Sequence, residues 1–131
     1  DKGSGEERKR FMNASVLKEY GVDYQKGLAR CLGDERFYEM LLTLFLEDDT
    51  FARAGEALNR GDQKELFNCM HELKGVCGNA DLTALYQAVC PLVETLRAGN
   101  ADPDRVREQF AQAEDAYHSV REGVRLALQG R

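Results

Sequence analysis

The sequence predicts an all-α fold, and three observations carry that prediction. Only two prolines occur in 131 residues. The helix formers Leu, Ala, Glu, Arg and Lys are abundant, and no segment alternates apolar and polar residues long enough to make a half-buried strand. Helix ends are also well punctuated. Gly33-Asp34, Gly61-Asp62 and Gly99 followed by Asp102-Pro103 each set a glycine stop ahead of an Asp that can cap the next helix. Asp62 has Glu65 three residues on, and Pro103 takes a first helical position, where its missing N–H costs nothing.

These stops divide the chain into a short first helix, from about Asp23 to Leu32, and four longer ones. The second, from about Asp34 to Asn59, carries Phe37, Leu41, Leu44, Phe51 and Leu58 on one stripe, widened by Met40, Phe45 and Leu46. It is expected to be the most buried element. Asp48-Asp49 interrupts the stripe and reads as a polar bend or a partner-facing charge, since no second ligand set is spaced with it to hold a metal. The third helix, about Asp62 to Cys77, sets Leu66, Met70, Leu73 and Cys77 on a narrow core-facing seam. The fourth, about Asp81 to Ala98, repeats this with Leu82, Leu85, Val89, Leu92 and Leu96, and Pro91 inside it removes one backbone bond and predicts a kink. The fifth, about Pro103 to Gln129, has Val106, Phe110, Ala113, Tyr117, Val120 and Val124 as its seam. Four amphipathic helices with short connections pack most simply as an antiparallel up-down four-helix bundle, here with a short additional N-terminal helix. Residues 1–20 read as a linker or N-terminal extension, because Asp1 to Arg10 has neither an initiator Met nor an apolar run, and residues 21–131 read as the bundle.

Composition narrows the function. A chain this long buries roughly two-thirds of its unfolded surface and needs neither disulfide nor metal to be stable, which fits neither a peptide hormone nor a multidomain enzyme. Lys and Arg number 18 against 23 Asp and Glu, a formal charge of −5, with a pI near 5.1. Nucleic acid is therefore not an expected partner, because phosphate recognition needs a basic face and the one basic cluster, Arg8 to Arg10, sits beside Glu6 and Glu7. No apolar run approaches the roughly 18 residues a membrane span requires, so a soluble chain is expected. Cys31, Cys69, Cys77 and Cys90 form no Cys-x-x-Cys pair and each lies in an apolar helical stretch. They read as buried thiols of a reducing, cytoplasmic compartment.

Sites of chemistry are few. The sequence holds no glycine-rich phosphate loop after a strand, no His-Glu-x-x-His, no Glu-x-x-His pair and no spacing that suggests a Ser-His-Asp set. One constellation remains, Met70-His71-Glu72-Leu73-Lys74-Gly75-Val76-Cys77-Gly78 on the third helix. With Met70 and Leu73 facing the core, His71 is rotated outward, and its surface neighbours are Phe67, Lys74 and Gly75. Helix side chains lean toward the N-terminus, so the residue at i+4 lies back over residue i, and here it is Gly75. The imidazole is left uncovered. A glycine inside a helix costs about 1 kcal/mol relative to Ala, and Gly75 and Gly78 incur that cost twice near one histidine, although Gly78 can also be read as the helix stop. Lys74 brings a mobile cation to the same side, suited to an anionic group on the ring. Histidine as a residue type titrates near neutrality, which keeps a neutral nucleophilic form abundant. The arrangement fits an exposed histidine that accepts a phosphoryl group. It also fits an ordinary surface histidine beside a solvated lysine, and spacing does not decide between them. His118 lies off the core beside the seam residue Tyr117, with no Gly or Lys arranged around it, and reads as a plain surface residue.

The string His71-x-Leu73-Lys74-Gly75-x-Cys77-Gly78 resembles the core motif of histidine phosphotransfer (HPt) domains, which relay phosphoryl groups in multistep two-component signalling. The likeness extends upstream through Gly27-Leu28-x-Arg30, Gly33-Asp34-x-x-Phe37-Tyr38-x-x-Leu41-Leu42-x-x-Phe45 and Gly61-Asp62, and downstream through Leu82, Leu85 and Leu92-Val93-Glu94. It covers roughly Val22 to Gly99. The resemblance implies that His71 takes a phosphoryl group from a receiver-domain aspartate and passes it to the aspartate of another receiver. Lys74 would steady the phosphoryl oxygens and Gly75 would give the partner room. The receiver, in a response regulator or a hybrid histidine kinase, would bring Mg²⁺, so this domain would be a phosphocarrier with no cofactor, metal or ATP-dependent kinase activity of its own. Phe67 and Gly78 are the candidate docking residues, and a monomer is expected. The family commonly has an apolar residue and then Gly after the position of Asn79, where this chain has Ala80-Asp81. Asp81 is expected to cap the fourth helix, and Pro91 is unusual in that helix.

Two other readings stay open. The dimerisation domain of a sensor histidine kinase also carries a His-Glu-Leu-Lys box, but continues with Thr or Ser and then Pro, where Gly75-Val76 stand here. A non-catalytic helical adaptor bundle would bind a partner helix and do no chemistry. An enzyme acting on a small molecule comes last, since a narrow-seam bundle offers no evident pocket.

Overall fold

Aspartate side chains set most helix starts in the computed structural model, which describes residues 12–129. Among these residues there are seven α-helices and no strand: α1 Ala14–Glu19, α2 Tyr24–Arg30, α3 Glu35–Glu47, α4 Thr50–Asn59, α5 Gln63–Ala80, α6 Thr83–Arg97 and α7 Pro103–Gln129. Asp23, Asp34 and Asp62 accept the backbone N–H of Lys26, Phe37 and Glu65, each at 3.0 Å, which satisfies a donor that the first helical turn leaves unpaired. Gly33, Gly61 and Gly99 all have positive φ, as the left-handed stop requires.

The expected second helix is two helices. Asp48 is extended, at φ −71° and ψ 133°, and its carboxylate accepts the Thr50 N–H at 2.6 Å. A short polar side chain offering itself to the backbone competes with helix continuation, and here it wins. The stripe drawn along that helix is also corrected. Phe37, Met40 and Leu44 are 45%, 47% and 53% exposed, while Tyr38, Leu42 and Phe45 are buried. The seam is rotated because Tyr38 buries its ring and still donates its hydroxyl to the Ala80 carbonyl, at 2.8 Å.

Further along, α5 runs through Gly78 to Ala80, so Gly78 is interior and not a stop. Its end is Asp81, in the left-handed region at φ 55°, and the α6 N-cap is Leu82 rather than Asp81. Asp81 is buried and instead binds Arg30, with Oδ2 accepting from Nε at 3.0 Å and Oδ1 from Nη2 at 3.3 Å. Its own carbonyl accepts the Asp23 N–H at 3.0 Å, tying the end of α5 to the start of α2. Helix α6 continues past Pro91 as one element.

The seams expected for the last three helices are buried as read, except that Tyr117 is only half-buried. Packing joins α4 to α5, α5 to α6 and α6 to α7, with α3 resting on α5 and α7. Phe51 stacks on Tyr117, with centroids 4.2 Å apart, and on Phe110 at 5.1 Å, which locks α4 to α7. Within the segment expected as a linker or extension, Met12 and Leu17 are buried and α1 packs on α7. The extension therefore joins the packing from Met12 onward. The remainder of that expectation, residues 1–11 with the Arg8 to Arg10 cluster, lies outside the described residues.

Candidate functional site

Helix α5 is held at several points, and each restricts what its exposed face can do. Leu66, Cys69, Met70, Leu73 and Cys77 are buried against the neighbouring helices, which fixes the rotation of the helix and turns His71 outward. Beside it, Glu72 is drawn toward α4: its Oε2 accepts from Arg53 Nη2 at 2.9 Å and from the Thr50 hydroxyl at 3.2 Å. Arg53 also reaches Asp49 at 3.1 Å, and these two carboxylates raise the Arg53 pKa further above its ordinary value. Glu72 is thus occupied on one flank.

His71 is exposed, and its side chain makes no hydrogen bond or ion pair among the described residues. Its ring is stacked on Phe67, with centroids 5.6 Å apart and planes inclined by 24°. Lys74, one turn on, is half-buried, and its ammonium likewise has no hydrogen-bond or ion-pair partner among the described residues. Gly75 is exposed, and a Cβ built there would meet nothing within 4 Å. Gly78 differs, because a Cβ there would come within 3.5 Å of the Tyr86 ring. The four positions around His71 that the sequence singled out, Phe67, Lys74, Gly75 and Gly78, therefore share its helix, and Phe67 is in ring contact with it.

Residues of α6 complete the surroundings. Arg97 lays its guanidinium carbon 5.3 Å from the Phe67 ring centroid, and its Nε meets Glu94 at 3.4 Å. The neighbouring Cys90 side chain holds the Tyr86 hydroxyl above the ordinary phenol range, first through hydrogen bonding and then, once its thiol ionises, through the thiolate's charge. Burial pushes the Cys77 thiol strongly up. It is a core residue and offers no nucleophile. Sequence reading missed Arg97, Tyr86 and the Arg53–Glu72 link. Level positions in two helices joined by the tight Asp81-Leu82 turn would have found the first two: Gly78 and Tyr86 meet near the turn, and Phe67 and Arg97 far from it.

Among the described residues, no group of three or more His, Cys, Asp and Glu side chains is placed to hold a metal ion. No helix there is long and apolar enough to cross a membrane. A cleft of about 640 Å³, lined in part by Lys18, Asp23, Thr83 and Gln87, does not include His71.

The family model described as Hpt domain matches residues 40–123, a span from within α3 to near the end of α7 that contains the whole His71 to Gly78 string. This chain belongs to the Hpt domain family. An Hpt domain implies histidine phosphotransfer in two-component signalling, and such domains are phosphocarriers that interact with receiver domains. Comparison with curated proteins and with solved structures returns no match.

Proposed function

We propose that this Hpt domain is a phosphorelay intermediate in which His71 accepts the phosphoryl group of a receiver phosphoaspartate and passes it to the aspartate of another receiver. The observation that carries the reading is the open space at Gly75, one turn beyond a histidine whose ring nitrogens are unpaired among the described residues. The ring nitrogen without a proton donates its electron pair to phosphorus to form the N–P bond as the P–O bond to aspartate breaks, and the P–O bonding pair leaves on the carboxylate. The proton on the other ring nitrogen stays, so no general base is needed on this chain. Passing the group on reverses the step: a receiver carboxylate attacks phosphorus, and the N–P pair returns to the ring.

Lys74 supplies positive charge to the phosphoryl oxygens, a role its lack of an ion-pair partner among the described residues supports. Gly75 gives a receiver's phosphoaspartate access to the ring, and Gly78 and Phe67 border the approach. The receiver carries Mg²⁺. We read the long helices as an antiparallel up-down four-helix bundle in which α3 and α4 together form the first, working as a monomer in the cytoplasm. Four free cysteines fit that compartment.

The adaptor reading has one observation in its favour, the apolar stripe of Phe37, Met40 and Leu44 left exposed on α3. One experiment separates the two. A radiolabelled phosphorylated receiver is mixed with the wild type and with His71→Gln. Label on the wild type alone, lost in acid and kept in base, supports the relay. No transfer from several receivers, or equal labelling of the variant, removes His71 and leaves the adaptor.

A further inference from the structure

An exposed histidine on a helix surface normally moves between rotamers, and a hydrogen bond from one ring nitrogen is the usual way to fix it. His71 has no such bond among the described residues. It has instead a ring against a ring, with Phe67 one turn earlier at a centroid separation of 5.6 Å and an inclination of 24°. The direction of the stack follows from helix geometry, since the side chain at i+4 lies back over residue i. His71 leans over Phe67, and Gly75 places nothing over His71 in turn. The imidazole is supported on the side toward the N-terminus of α5 and open toward its C-terminus.

Phe67 is itself held. It is half-buried against the core, and the Arg97 guanidinium lies over its ring at 5.3 Å, within the range of a cation–π contact. Arg97 is tethered in turn to Glu94 on its own helix, at 3.4 Å. The ring that meets His71 is thus anchored from the core and from α6, and its orientation is set by more than α5 alone.

We propose that Phe67, with Arg97 laid over it, is a positioning residue that holds the His71 imidazole in the orientation from which it attacks phosphorus. The proposal rests on the reading of His71 as phosphoacceptor. It assigns Phe67 a different task from docking: a docking residue sets how tightly a receiver binds, whereas a positioning residue sets how fast the bound pair reacts.

The test is single-turnover transfer from a phosphorylated receiver, over a range of receiver concentrations, to the wild type, Phe67→Leu, Phe67→Tyr and Arg97→Met. It is paired with the NMR resonances of the His71 ring protons. Phe67→Leu is expected to slow transfer at saturating receiver about tenfold, the size of one aromatic pair, without changing the half-saturating concentration. It should also move the His71 ring resonances, as the ring current of Phe67 is lost. Phe67→Tyr should restore both, and Arg97→Met should give a smaller slowing of the same kind. An unchanged saturating rate, a rise in half-saturating concentration alone, or ring resonances indifferent to Phe67→Leu would each overturn the proposal. Should Phe67→Leu fail to fold, Arg97→Met carries the same comparison with the core intact. A wild type that accepts no phosphoryl group would sink the relay reading instead, and the resonances would still show whether Phe67 holds the ring.

Discussion

Gly75 stands one helical turn beyond His71 on the exposed face of α5, and a methyl group built on it would meet nothing within 4 Å. The fold gives no steric reason for a glycine there. Replacing it by Ala should therefore stabilise the protein by about 0.5–1 kcal/mol, because helix propensity improves and the unfolded chain loses freedom. The same change should slow transfer to His71, and Gly75→Leu should slow it further. Thermal unfolding and transfer kinetics on the same preparations check both halves, and a Gly75→Ala protein that is less stable would contradict the first.

Gly27 presents the opposite case. A Cβ there would fall 2.2 Å from the ring of Tyr38, which is fully buried and hydrogen-bonded to the Ala80 carbonyl. Nothing at that contact can yield cheaply. Gly27→Ala should destabilise the protein by about 1–3 kcal/mol through overpacking, read as a lower urea midpoint with an unchanged slope.

Asp81 combines a left-handed backbone, at φ 55°, with a bidentate ion pair to half-exposed Arg30. Both Asp81→Ala and Asp81→Gly lose the pair, but only Ala keeps the backbone strain. The Ala variant should therefore be the less stable of the two by about 1 kcal/mol. Equal urea midpoints would show that the strain at this position is relieved elsewhere.

How far the sequence could be read depends on which term decided each element. The seams of α5, α6 and α7 were legible because burial of Leu66, Leu85 or Val124 outweighs local effects, each large apolar side chain contributing about 1.5–3 kcal/mol. The break at Asp48 was not, because it depends on one side chain capturing the Thr50 N–H at 2.6 Å. The burial of Tyr38 in place of Phe37 was hidden for a similar reason: its hydroxyl has a partner in the Ala80 carbonyl, which only the folded chain supplies. Helix α1 is too short, at 6 residues, for periodicity to register. At the candidate site, the exposure of His71 and the space at Gly75 could be read from one helix alone, whereas Arg97 over Phe67 required knowing how α5 meets α6.

Alkaline pH should weaken the fold. Burial first, and neighbouring charges after it, hold the thiols of Cys31, Cys69 and Cys77 above the ordinary value, and the phenols of Tyr24 and Tyr38 are raised mainly by burial as well. Each of these groups ionises more readily once unfolded. Stability is therefore fully present below the free-thiol pKa of about 8.5 and falls as pH climbs from there toward the raised folded values, the phenols adding to the loss above about pH 10. Urea midpoints at neutral pH and at two alkaline values check the sign. In the native protein, an alkylating reagent should reach half-buried Cys90 ahead of the three buried thiols.

The most direct measurement of the central claim is location of the phosphoryl group itself. The protein is phosphorylated by a receiver, digested under neutral to alkaline conditions that preserve an N–P bond, and the modified peptide is sequenced by mass spectrometry. The account predicts one modified residue, His71, and an unmodified digest from His71→Gln. Modification at His118 or at any other side chain, with His71 bare, would contradict it.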